Sequence, residues 1–126
     1  PEFRQEILEE LVLFQKNLNP DIIFLPSVND IHQDHQTISI EGIRAFKQKT
    51  ILAYEMPQNH ITFSTQAFIE LQKEDIDNKL LALNEYKSQM QRTYANEDYI
   101  KGLAVTRGVS VGVKYAETFE VIRLHL

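Results

Sequence analysis

The chain has 126 residues, 43% of them apolar and 25% charged, and its formal net charge is -5. This length fits one domain with a hydrophobic core, and the acidic balance excludes a broad basic face for binding nucleic acid. Cysteine is absent, so disulfides and cysteine-based zinc sites are excluded, and a metal would have to be held by His, Asp or Glu.

No membrane span or signal peptide is expected from the sequence. No apolar run reaches the roughly 18 residues of a spanning helix, and no basic-then-apolar stretch opens the chain. We therefore expect a cytoplasmic protein. The first residues, Pro1, Glu2 and Phe3, resemble vector-derived residues, so we expect the natural sequence to start near Arg4 and residues 4–126 to form one domain unit.

Helices and strands alternate in the first half of the chain. Apolar residues at helical spacing predict a helix over 4–18, ended by the turn residues 19–21. The continuous apolar run 22–25 predicts a buried parallel strand. A second helix is predicted over about 33–48 and a second strand over 51–54. The residues of the second helix that we expect in the core are Ile38, Ile40, Ile43, Ala45 and Phe46.

The second half adds further elements of both kinds. Short extended segments are predicted over 61–64 and 68–71, and helices over 73–90 and about 97–110, the latter ended by Gly108 and Gly112. Alternation of apolar residues predicts a last strand over 121–126. The α-β-α-β order at the start predicts an α/β fold, with a Rossmann-like, mostly parallel sheet and flanking helices.

One segment concentrates residues that carry chemistry, namely Asn29-Asp30-Ile31-His32-Gln33-Asp34-His35-Gln36. It directly follows the first predicted strand, and open α/β sheets build their sites in such loops. Neutral imidazole is the commonest metal ligand, and a carboxylate beside it can fix its orientation. From spacing alone two interpretations stay open: a metal or acid–base site, or a loop in which Asp30 or Asp34 caps the next helix.

The order of motifs resembles the PIG-L/LmbE family of zinc-dependent deacetylases. Residues 20–26 followed by 29–35 resemble that family's second signature, a strand and loop leading to His-Pro-Asp-His, with Gln33 in place of the proline. Two looser matches follow, at 79–89 and at 115–119. The resemblance covers residues 4–126 and implies that they are the C-terminal part of a deacetylase domain, with a sheet truncated at its N-terminal side.

The resemblance implies a role for each position of the motif. His35 would be a zinc ligand, His32 would stabilise the oxyanion or transfer a proton, and Asp34 would hold one of these histidines by a hydrogen bond. The implied reaction is attack of zinc-polarised water on the acetyl carbonyl of an N-acetylglucosamine-like sugar or sugar conjugate. Metal identity stays open, because a His/Asp site suits several divalent ions.

Three residues outside the motif are candidates for substrate binding. Tyr54 and Glu55 end a predicted strand, at the edge where such sites form. Arg107 precedes Gly108 and could contact a polar group of the substrate, with a surface or helix-capping role as the alternative.

The family's earlier His-Pro-Asp-Asp motif is not found in this sequence. We therefore expect weak or no zinc binding and no deacetylase activity from these residues alone, and self-association through the exposed edge of the truncated sheet. Two alternatives to the deacetylase remain: a non-catalytic binding or assembly module that keeps the fold, and a metal hydrolase that acts on another bond, such as a phosphoester.

Overall fold

The computed structural model describes residues 3–86 and 96–126. Within them it contains four α-helices, a short 3-10 helix at Pro57–Asn59 and four strands. The helices are α1 (Arg4–Leu18), α2 (Gln33–Ala45), α3 (Lys73–Asn84) and α4 (Glu97–Val111). The strands are β1 (Ile22–Pro26), β2 (Thr50–Tyr54), β3 (Ala67–Glu70) and β4 (Ala116–Arg123).

The strands form one sheet in the order β1-β2-β4-β3. β1 pairs parallel to β2, with Ile23 opposite Ile51. β2 pairs antiparallel to β4, with Ala53 opposite Glu120 and an irregularity between Ile51 and Leu52. The α/β class is confirmed, and the sheet that carries it is mixed. The parallel β1–β2 pair brings the two strand ends, and the loops that follow them, to the same edge.

The chain divides into two compact units, one of Pro1–Ala67 with Phe119–Leu126 and the other of Phe68–Thr118. Each unit has its own apolar cluster. The core of the first contains Ile23, Leu25, Phe46 and Ile51, with Leu11, Ile43, Ala45 and Ile122 packed against it. The core of the second contains Ile76, Ile100 and Ala104, with Leu71, Leu80, Leu83, Tyr99 and Tyr115 packed against it.

The first helix covers the predicted range, and Asn19 ends it in the left-handed conformation at φ 45°. The second helix ends earlier than predicted, at Ala45, because the next residue, Phe46, leaves the helical conformation with φ -102° and ψ 48°. Ile40, expected in the core, is 41% exposed. The buried side of α2 instead carries polar residues and a glycine whose missing Cβ leaves room for Leu25; these are Thr37, Ser39, Glu41 and Gly42.

The polar groups buried on α2 have partners, as burial requires. The Ser39 hydroxyl donates to the Pro26 carbonyl. The Glu41 carboxylate, 1% exposed, accepts from the guanidinium groups of Arg4 and Arg44, each at 2.8 Å. Glu41 thereby joins α1 to α2 and fixes the helix that begins at the candidate site.

Three other predicted ranges differ from the structure. Residues 61–64 are not a strand, because the Ser64 N–H donates to the Glu120 side chain rather than to a neighbouring strand. The helix predicted over 73–90 ends at Asn84, and residues 87–90 lie outside the described residues. The last strand runs from Ala116 to Arg123, so residues 124–126 do not belong to it.

The four described helices are all too short or too polar to cross a membrane.

Candidate metal and catalytic site

The loop after β1 folds around a buried aspartate. Asp30 is 1% exposed, and its backbone N–H donates to the Ser27 carbonyl at 3.1 Å, closing a turn. Its Oδ1 accepts from the backbone N–H of His32 at 2.7 Å, and its Oδ2 lies 2.8 Å from His35 Nδ1. One carboxylate therefore holds both the start of α2 and the imidazole one turn into it.

This contact assigns the tautomer of His35. A buried carboxylate accepts hydrogen bonds, so Nδ1 of the imidazole carries a proton and donates it in a hydrogen bond to Asp30. The lone pair is then on Nε2, the nitrogen left for a metal. The His35 side chain is 28% exposed, so a ligand can reach it. A histidine held through one nitrogen by a carboxylate is the usual arrangement of a metal ligand.

His32 begins α2 as its N-cap, and its Nδ1 accepts from the backbone N–H of Asp34 at 3.2 Å. The proton of the neutral ring is therefore on Nε2, which makes His32 a hydrogen-bond donor toward solvent. The His32 and His35 rings stack, with centroids 4.4 Å apart and planes 19° apart. The structure thus brings together the two predicted histidines, with Nε2 of His32 protonated and Nε2 of His35 carrying a lone pair.

The loop after β2 lies against the loop after β1. The Asn59 carbonyl accepts from the Ile31 N–H at 2.6 Å, and Asp30 and His60 form a β-bridge. Asn59 Nδ2 is 3.5 Å from His35 Nδ1. His60 is fixed in turn, since its Nε2 accepts from the Met56 N–H at 3.1 Å and its ring stacks on Phe63 at 4.7 Å.

Tyr54 ends β2 and is half-buried beside this site. Burial raises the pKa of its phenol above the ordinary 10.0, and the negative charge of Asp30 raises it further. The neutral phenol is therefore the form present over the physiological range, and it can both donate and accept a hydrogen bond. Glu55 follows it and is also half-buried.

The other predicted site residues lie as follows. Asp34 is exposed in the first turn of α2, and its contact with His32 is made by its backbone. The resemblance implied that Asp34 would hold one of the two histidines by a hydrogen bond; the carboxylate that contacts His35 is that of Asp30. Arg107 is half-buried on α4 in the second unit, and its role at the substrate stays a prediction.

Four contributors were not predicted as site residues. The sequence offers Asp30 as a possible helix cap, and no local signal distinguishes it from Asp34. Asn59 and His60 lie in a loop with no motif, so only the parallel pairing of β1 and β2 brings them in. Glu120 lies between apolar residues of β4, where sequence alternation gives no reason to expect a carboxylate facing inward.

Comparison with solved structures shows which fold carries this site. The conserved protein TT1542 from Thermus thermophilus superposes with a TM-score of 0.79 at 21% identity, over 96% of this chain and 59% of that chain. A teicoplanin deacetylase, Orf2, solved in a zinc-inhibited form, gives a TM-score of 0.75 at 18% identity, over 98% and 53%. The N,N'-diacetylchitobiose deacetylase of Pyrococcus horikoshii, solved with its inhibitor MPG, gives 0.70 at 18% identity, over 97% and 52%.

This chain has the PIG-L/LmbE deacetylase fold. It spans little more than half the length of the three solved structures. No family model matches the sequence, and no curated protein matches it either. At this level of identity the PIG-L/LmbE likeness is one of fold, and the chemistry of the site has to be argued from its own residues.

The described residues do not supply a complete metal site. Residues 3–86 and 96–126 contain no group of three or more His, Asp or Glu side chains placed to hold one ion. They do contain one imidazole, on His35, whose Nδ1 lies against a buried carboxylate. A catalytic zinc takes about three protein ligands, so the described residues alone do not complete such a site.

Proposed function

We propose that the complete protein is a zinc-dependent N-deacetylase that hydrolyses the N-acetyl group of an N-acetylglucosamine-like sugar or sugar conjugate. The observation that supports this most is the 2.8 Å contact between Asp30 Oδ2 and His35 Nδ1. Because Nδ1 is used for this contact, Nε2 of His35 keeps its lone pair, which is what a metal ligand must supply. Two solved structures with the same fold are named deacetylases, and one of them is a zinc-inhibited form.

In this proposal His35 supplies one zinc ligand, and the remaining ligands come from other parts of the complete protein. When bound, zinc would activate water and polarise the acetyl carbonyl. His32 would stabilise the developing oxyanion by donating from Nε2, the nitrogen left protonated by the Asp34 N–H contact. Because the two rings stack with centroids 4.4 Å apart, the His32 donor would lie close to a metal bound by His35.

The rim of the site would bind the sugar. Neutral Tyr54 offers a hydroxyl that can pair with either a donor or an acceptor of the substrate, and Glu55 offers a charged group for its polar substituents. Arg107, on α4, is proposed by its charge alone to contact a polar group of the substrate. These three assignments are proposed from the positions of the residues: Tyr54 and Glu55 at the end of β2, and Arg107 on α4. Sugar hydroxyls are recognised by such polar groups, and none of the three is needed for the reaction itself.

The direct test is acetate release by the complete protein. We expect hydrolysis of N-acetylglucosamine or diacetylchitobiose and no hydrolysis of a phosphoester such as p-nitrophenyl phosphate. His35→Ala should lower kcat/KM by about a hundredfold or more, as loss of a ligand or its support does. His125→Ala is the matched control, since His125 is exposed near the last residue and contacts Gln48 instead.

Each outcome selects one function. Phosphoester hydrolysis without acetate release would replace the deacetylase by a different metal hydrolase. Absence of both activities in a protein that still folds would favour the binding or assembly module.

A further inference from the structure

A second buried carboxylate, Glu120 on β4, ties down the loop that carries Asp30. Glu120 is 6% exposed and lies opposite Ala53, whose small side chain leaves room for it. Its Oε1 accepts from the Ser27 hydroxyl. Its Oε2 accepts from the Asn29 side-chain amide at 3.3 Å and from the Ser64 N–H at 3.0 Å.

The donors to Glu120 come from both loops that build the site. Ser27 and Asn29 belong to the turn after β1, where the Ser27 hydroxyl also accepts from the Asn29 N–H at 3.0 Å and the Ser27 carbonyl accepts from the Asp30 N–H. Ser64 belongs to the segment after β2. A buried carboxylate that receives three hydrogen bonds fixes its donors strongly, because hydrogen bonds to a charged group are stronger than those between neutral groups.

We propose that Glu120 is a positioning residue that acts on the candidate metal ligand through the turn that follows β1. The connection runs from Glu120 to Ser27 and Asn29, from their turn to Asp30, and from Asp30 to His35. Glu120 itself does not touch the imidazole. The inference rests on the proposed function only in giving His35 a metal to bind; the geometric claim concerns the tautomer and is independent of any activity.

The experiment measures the His35 ring in the 126-residue chain without metal or substrate. Long-range ¹H–¹⁵N correlation spectra of histidine-labelled protein report which ring nitrogen carries the proton. Glu120→Gln keeps the shape of the side chain and removes its charge. The amide NH₂ that replaces one carboxylate oxygen cannot accept a hydrogen bond. The control is Glu117→Gln, the same change on the same strand at a half-exposed residue paired with Lys79.

We expect wild type and Glu117→Gln to show His35 protonated on Nδ1 with a protected proton. In Glu120→Gln we expect a mixture of tautomers and about tenfold faster exchange of the Nδ1 proton. A change of this size corresponds to the loss of about one charge-assisted hydrogen bond. A Glu120→Gln spectrum with the wild-type tautomer and exchange rate overturns the proposal, even if the melting temperature falls.

Ser27→Ala decides the matter if Glu120→Gln does not fold. It removes the hydroxyl donor and leaves the carboxylate, and it should shift the His35 tautomer in the same direction. An unchanged His35 ring in folded Ser27→Ala also overturns the proposal. If the wild-type ring is as expected but the complete protein releases no acetate, the proposed function fails and the positioning role of Glu120 stands.

Discussion

At the residue scale, the two carboxylate oxygens of Asp30 have different partners. One oxygen fixes the backbone at the start of α2, and the other fixes the tautomer of His35. The histidines could be predicted from their spacing after a strand, because that placement is a property of the sequence. Which aspartate holds His35 could not, since Asp34 is its neighbour in sequence and only the turn at Ser27 directs the more distant Asp30 inward.

Asparagine at each of the two aspartates separates their roles. In Asp30→Asn the new NH₂ faces His35 Nδ1 and forces that nitrogen to accept, so the proton moves to Nε2 and blocks it for the metal. We expect zinc affinity of the complete protein to fall about 10–100-fold, the usual cost of losing such a partner.

Asp34→Asn keeps the backbone N–H that holds His32, so we expect a change smaller than about threefold in zinc affinity. Isothermal titration with zinc measures both, and a larger loss in Asp34→Asn would return the supporting role to Asp34.

Tyr54 gives a pH dependence with a defined sign. Its pKa is raised in the folded protein, first by burial and then by Asp30, so the folded state holds the phenol proton more tightly than the unfolded state. The resulting stability is fully present below pH 10.0 and is lost as pH rises through the raised pKa. Chemical denaturation between neutral pH and the alkaline range should show a steeper decline in wild type than in Tyr54→Phe. If the free energy of unfolding fell equally in both proteins, burial and Asp30 would not raise the pKa of Tyr54.

At the scale of single elements, polar residues decide more than apolar spacing. The buried side of α2 carries Thr37, Ser39 and Glu41, and Ile40 faces outward because the buried polar groups have specific partners. Periodicity predicted that the helix exists and where it starts. It predicted part of the buried side, since Ile43, Ala45 and Phe46 lie in or against the core. It could not predict the buried Glu41, because a satisfied carboxylate cannot be told from a solvated one without its two arginines.

Two glycines inside α4 form a matched pair. A Cβ on Gly108 would lie 2.5 Å from the Val113 carbonyl oxygen and 2.9 Å from the Lys114 backbone, whereas a Cβ on Gly102 meets nothing within 4 Å. Gly108 is therefore a point of close approach inside the helix, and Gly112, at φ 74°, ends it. This differs from the sequence prediction that Gly108 and Gly112 both mark the end.

Alanine substitutions test this difference. Gly108→Ala should lower the free energy of unfolding by about 1–3 kcal/mol through overpacking against backbone. Gly102→Ala should raise it by about 0.5–1 kcal/mol through helix propensity. Urea denaturation measures both, and equal effects of the two substitutions would contradict the close approach at Gly108.

At the scale of the whole molecule, the order of elements carried most of the prediction. The α-β-α-β start gave the α/β class, and the parallel β1–β2 pair followed from the intervening helix. The antiparallel position of β4 between β2 and β3 could not be predicted, because long-range pairing leaves no local pattern. That pairing is what brings Glu120 to the loops after β1 and β2.

The free side of β1 predicts self-association. Among the described strands β1 lies at the end of the sheet, and Ile22 and Phe24 on it are 53% and 49% exposed. An apolar edge strand pairs readily with another chain, and a lysine on it prevents this. We expect concentration-dependent dimers or larger species of the 126-residue chain in sedimentation velocity, and their loss in Ile22→Lys. Val109→Lys, at a valine that is 75% exposed on α4, is the control. A monomer at every concentration would contradict the prediction.

The most direct measurement is the position of the metal in a crystal of the complete protein soaked with zinc. The account predicts an anomalous difference peak about 2.0–2.1 Å from Nε2 of His35, with Nδ1 still bonded to Asp30. A zinc peak bound elsewhere, or one on Nδ1 with the Asp30 contact broken, would contradict it.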